Sequence, residues 1–114
     1  MSKLDDKIDS YRQEAKKLGL DLSDDLIAKV TKGLGPSIYK KDAESVSCSQ
    51  ASELETIKKN FLRKKLSITD DDDKLDAAIK EVCEEMGTSN KNKKRALFYA
   101  LLTKKFSKQS VYDA

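Results

Sequence analysis

The chain has 114 residues, of which 38% are hydrophobic and another 38% charged, and its 23 basic and 20 acidic side chains leave a net charge of +3. That length suits one domain that folds without metal or disulfide, and so small an excess of positive charge does not by itself imply a nucleic-acid partner. With no histidine in the sequence, the usual general base, the Ser-His-Asp arrangement and the common zinc ligand sets are all excluded.

Leu4, Ile8, Tyr11, Ala15 and Leu18 recur at spacings of four and three, which predicts one apolar stripe on a first helix, stopped at Gly19. Ser23 is the expected cap of a second, short helix. Asp24 and Asp25 favour its positive end, Leu26, Ile27 and Val30 form its buried face, and Gly33 is the expected stop. Residues 34–48 read as irregular, although Pro36 is suited to open one helical turn. A third helix is expected from Ser49 or Ser52, with Leu54, Ile57, Phe61 and Leu62 inward and Leu66 near its end. The fourth follows Thr69 and the acid run 70–73, with Leu75, Ala78, Ile79, Val82 and Met86 as its stripe. Thr88 or Ser89 is the expected cap of the fifth. Its seven consecutive apolar residues, 96–102, cover every side of two turns and predict the central helix of the fold.

The expected architecture is therefore an all-α, compact five-helix single domain spanning 1–114, with a central C-terminal helix and a frayed tail over 107–114. Leu97, Phe98, Leu101, Leu102, Phe61, Ile79 and Val82 are its expected core. No segment approaches transmembrane length, and residues 1–20 hold no apolar stretch like a signal peptide, so a cytoplasmic protein with no membrane partner is expected. Cys48 and Cys83 are accordingly expected to be reduced.

Partial motifs give no chemistry. Gly33-Leu34-Gly35 begins like a dinucleotide fingerprint, but Ile38 stands where the third glycine belongs. Asp70, Asp72 and Glu81 imitate a calcium loop, yet Leu75 occupies the position that needs glycine. The reading is thus of no enzyme, no catalytic residues, no metal and no cofactor.

Two surfaces stand as candidates. The first is an interaction segment, Gly35, Pro36, Ser37 and Tyr39, offered to a protein partner. The second is an anion or nucleic-acid contact through the basic clusters at 58–65 and 91–95, with Arg63, Lys64, Lys65, Lys91, Lys93, Lys94 and Arg95 as the residues. The second half of the chain is the basic half. Residues 58–114 hold 14 basic and 9 acidic groups, whereas residues 1–57 hold 9 and 11. Charge matching accounts for the same lysines. If the fourth and fifth helices are antiparallel, Glu81, Glu84 and Glu85 face the start of the fifth, and Asp70–Asp73 face Arg63–Lys65, Lys104 and Lys105.

Residues 30–49 (VTKGLGPSIYKKDAESVSCS), 53–66 (ELETIKKNFLRKKL) and 75–106 (LDAAIKEVCEEMGTSNKNKKRALFYALLTKKF) resemble a small bacterial family, domain-of-unknown-function family 2853. That resemblance implies one helical domain of this length in the bacterial cytoplasm. It implies no function and no catalytic residues.

Overall fold

The computed structural model describes residues 3–88, 90 and 93–112. Helix α1 (Lys3–Leu18) buries Ile8, Tyr11 and Ala15, the centre of the expected stripe. Its C-terminus closes with paired bonds from Gly19 N–H to Lys16 O (3.1 Å) and from Leu20 N–H to Ala15 O (2.9 Å), which satisfy two of its last carbonyls. Helix α2 (Asp24–Leu34) starts where expected. Ser23 Oγ accepts from Leu26 N–H at 3.1 Å and stands in for the missing turn.

A 3₁₀ turn (Gly35–Tyr39) and the one-turn helix α3 (Lys41–Glu44) follow. Helix α4 (Ala51–Thr56) runs without a break into a wide π-helical stretch, Ile57–Lys65. Its closing bond, Leu66 N–H to Phe61 O at 2.9 Å, reaches back five residues. The widened spiral brings Ile57, Phe61, Leu62 and Leu66 inward together, all of them buried. Asp71 Oδ1 accepts from Lys74 N–H at 3.0 Å and caps helix α5 (Asp72–Glu85). Helix α6 (Arg95–Lys105) then packs on α1, α2, α3 and α5.

With the one-turn α3 counted as part of the connection, this is the all-α, five-helix arrangement that periodicity predicts, with the last long helix at its centre. Ala96, Leu97, Phe98, Ala100, Leu101, Leu102 and Thr103 are all buried. Every residue of the expected core is less than 7% exposed, so the seven-residue apolar block does fill the middle of the domain. Among the described residues there is no strand, only an isolated bridge between Ser45 and Lys94, and no helix is long and apolar enough to cross a membrane.

Several local expectations are corrected. Gly33 does not stop α2. The helix continues to Leu34, and Gly35 makes the exit with φ 66°. A Cβ at residue 33 would lie 3.2 Å from the Tyr112 ring, so Gly33 serves close packing instead. The tail is not frayed over Gln109–Tyr112. Those residues form a 3₁₀ turn whose Val111 and Tyr112 pack on the core, because Tyr112 has this gap on α2 to fill. The fifth long helix starts five or six residues later than expected, with Lys94 at the cap position. Gly87 turns the chain at φ 95° and Asn90 bonds back to Met86 O at 3.0 Å, so the apolar block alone defines α6; the alternative cap, Ser89, lies outside the described residues.

Helices α5 and α6 do not meet start against end. Lys105, in the last turn of α6, bonds Glu81 at 2.6 Å and pairs with Glu85 at 3.5 Å near the end of α5. Lys104 reaches Asp21 instead, at 2.5 Å. The long 86–94 connection gives α6 room to cross α5, which a short turn would have forbidden. Charge matching across the α4–α5 turn holds as expected, with Arg63 paired to Asp72.

Candidate functional site

The segment between α2 and α4 is ordered by its own chemistry. Gly35 supplies the positive φ at the helix exit, Pro36 presets the next turn, and Ser37 Oγ donates to Leu34 O at 3.0 Å. Ile38 is 2% exposed and pins the turn to the core, while the next side chain, Tyr39, is 46% exposed. Tyr39 is the one large hydrophobic side chain left in solvent among the described residues. The turn packs against α2 and α3, so Tyr39 is presented on a fixed support rather than on a loose loop.

Beside it lies a polar cluster joining α1 to α3. Tyr11 O–H and Lys7 Nζ each donate to Glu44 Oε2 at 2.6 Å, and Lys94 Nζ stands 4.0 Å from the other oxygen. Burial pushes the Glu44 carboxyl up, but the Lys7 and Tyr11 bonds outweigh it and hold the group below its ordinary value. Burial raises the neighbouring Glu14, whose Oε2 is enclosed with no hydrogen-bond partner among the described residues.

Tyrosine burial has a measurable consequence. Burial, with Glu44 adding to it, raises Tyr11 far above the ordinary value of 10.0. Burial also raises Tyr99, and it pushes Tyr112 up to about 12. In each case the unfolded chain releases its proton first as pH climbs past about 10, so the native state holds more protons and stability falls from there upward. Urea melts stepped from about pH 8 to about pH 11.5 should show the midpoint level at first and then declining steadily above about pH 10. A midpoint that stays level to the end of that range would rule out these buried phenols.

The basic residues are dispersed by the fold. Lys58 is buried and meets Glu55 at 3.0 Å and Asp76 at 3.1 Å. Arg63 pairs with Asp72, which this contact holds below its ordinary value; Lys64 is exposed, and Lys65 lies 5.2 Å from the centre of the Tyr112 ring. Lys91 lies outside the described residues. Lys93 is 5% exposed and donates to Asn90 O at 2.6 Å. Lys94 turns to Glu44.

Arg95 is directed inward and ties three elements together. Its Nε donates to Ala43 O at 2.7 Å, Nη1 to Tyr99 O–H at 3.0 Å, and Nη2 to Ser45 O at 3.4 Å as well as to the Glu53 carboxylate. Tyr99 in turn stacks on Phe61 with ring centres 3.9 Å apart. The four described members of the two basic clusters with the firmest contacts, Lys58, Arg63, Lys93 and Arg95, are thus engaged within the chain.

One feature was not expected from the sequence. Cys48 and Cys83 form a disulfide with Cα atoms 6.2 Å apart, which corrects the expectation of reduced thiols. The ordered 34–48 segment returns along the domain and delivers Cys48 to the edge of the α5 stripe, where Cys83 follows Val82. Both cysteines line a surface pocket of about 390 Å³ between α4 and α5. Leu54 and Ile79 form its apolar wall, and Glu55, Asp76 and Lys80 its charged rim. No group of three or more candidate ligand side chains that could hold a metal ion stands among the described residues.

The chain belongs to the family described as protein of unknown function (DUF2853), whose model matches residues 10–110. The match spans both the Gly35–Tyr39 turn and the disulfide. No curated protein matches the chain.

Proposed function

We propose that this chain is a non-catalytic interaction module of the bacterial cytoplasm that presents the Gly35–Tyr39 turn to a protein partner. The observation that carries the reading is Tyr39 itself, a large apolar side chain held in solvent by a turn whose neighbour Ile38 is buried. An exposed aromatic on a rigid support loses little side-chain entropy on binding, which is why such residues anchor interfaces. Lys40 beside it is exposed as well, so the partner's complement is an apolar pocket with acidic groups at its rim.

A photo-reactive phenylalanine analogue at position 39 tests it. The expected result is one dominant crosslinked protein in cells. That product should be absent when the analogue replaces Thr69 on the exposed turn before α5, and should be competed away by the wild-type chain. Tyr39→Ser should also abolish capture of that protein while shifting stability by no more than about 0.5 kcal/mol. Equal crosslinking from both positions, or a partner still captured by the Tyr39→Ser chain, would defeat the reading.

The alternative, nucleic-acid or phosphate binding through 58–65 and 91–95, has less support. Lys58, Arg63, Lys93 and Arg95 already hold internal partners, and exposing them to phosphate would give up those bonds.

A further inference from the structure

We propose that the Cys48–Cys83 disulfide is a thiol–disulfide exchange site, and that the pocket beside it admits a small carboxylate-bearing thiol of the cysteine or glutathione class. Three observations carry this. Both cysteines line an open pocket at the edge of the core, and both are only partly buried. The pocket is at the lower end of the ~300–1,000 Å³ typical of small-molecule sites and has an apolar wall of Leu54 and Ile79. Its rim carries Lys80, able to meet a carboxylate, while the Glu55 and Asp76 carboxylates there are held by Lys58.

The electrons balance with the thiol as reductant. A thiolate of the small molecule attacks Cys83 Sγ in line with the bridge. The new S–S bond forms as the old one breaks, and the electron pair leaves on Cys48 Sγ, which takes a proton from water. A second small thiol then attacks the mixed disulfide, releasing Cys83 as a thiol and the small molecule as its own disulfide. Cys83 is the sulfur attacked, because it lies in the last turn of α5 beside Glu84, where a leaving thiolate is disfavoured. Opening the bridge frees the chain around Cys48 from α5 and leaves the Arg95 and Glu44 contacts in place.

The test uses the oxidised full chain in native buffer with reduced glutathione, acid quenching and intact mass. The expected opening rate rises in proportion to glutathione concentration. Amide shift changes should be confined to residues 45–51 and 79–86. Glutathione disulfide should leave a stable adduct on Cys83 in the Cys48→Ser chain. Lys80→Ala should slow opening by glutathione about threefold and leave opening by uncharged 2-mercaptoethanol unchanged. A rate independent of thiol concentration would mean that opening waits on unfolding, and would overturn exchange in the native state. Lys80→Ala acting equally on both thiols, or on neither, would overturn the ligand class.

Discussion

Arg95→Ala is expected to destabilise the domain by about 3 kcal/mol, within the range seen when one partner of a buried ion pair is removed and allowing for residual solvent contact. Arg95 is 14% exposed and Glu53 23%, so the carboxylate left behind is still largely enclosed. The loss also strands the Ala43 and Ser45 carbonyls and the Tyr99 hydroxyl, three groups that no simple surface cation would serve. Because Arg95 joins the start of α6 to α3 and to α4, the damage should fall on the segment that supports Tyr39. Guanidinium melts should show a lower midpoint at nearly unchanged slope, with a fall in Tm on the order of 10–15 °C. Arg95→Lys should recover only part of this, since an ammonium cannot reproduce the planar fork. A change below about 0.5 kcal/mol in the alanine variant would mean that Arg95 is an ordinary exposed cation.

Phe98→Ala should cost more, about 3–5 kcal/mol. The side chain is fully buried in the helix that touches α1, α2, α3 and α5, so no single element can move in to fill the gap. Against the total stability of about 5–15 kcal/mol usual for such domains, the variant should be marginal at 37 °C and recoverable only in the cold or with osmolyte. A midpoint within about 1 kcal/mol of wild type would show that α6 is peripheral, contrary to its placement here. Arg95 and Phe98 share one helix face neighbourhood, so the double variant is not expected to be additive.

The fold was legible in the sequence wherever burial has a period. The α1 and α5 stripes, the Ser23 cap and the apolar block of α6 are all local statements, and each was read correctly because helix burial repeats within a few residues. The failures share one cause. Gly33 looked like a stop, but its role is set by Tyr112, seventy-nine residues away. The disulfide joins residues 35 positions apart, and nothing local to either cysteine reveals the other. Arg95 looked like part of a basic run because its acceptors, Ala43, Ser45 and Glu53, lie more than forty residues upstream.

A usable signal did exist for the α6 start. No Ser, Thr or Asp immediately precedes the apolar block, and the chain before it is lysine-rich, which suits an extended approach better than a first helical turn. The π-helical stretch was hidden for a different reason. Ile57, Phe61, Leu62 and Leu66 fit a 3.6-residue period nearly as well as the wider one, and the choice is made by the stacking of Phe61 on Tyr99. Pro36 marks a turn within the segment that otherwise reads as irregular, and only three-dimensional placement separates the buried Ile38 from the exposed Tyr39.

The central claim is that the cations at 58–65 and 93–95 serve the fold and that the Tyr39 turn is the surface left for recognition. An amide chemical-shift titration of labelled protein with short duplex DNA and RNA, at low and moderate salt, tests this most directly. The expected result is no set of shifts focused on residues 58–65 and 93–95 at either salt concentration. Saturable shifts concentrated there, weakening steeply as salt is raised, would contradict the account and make the basic clusters the binding surface.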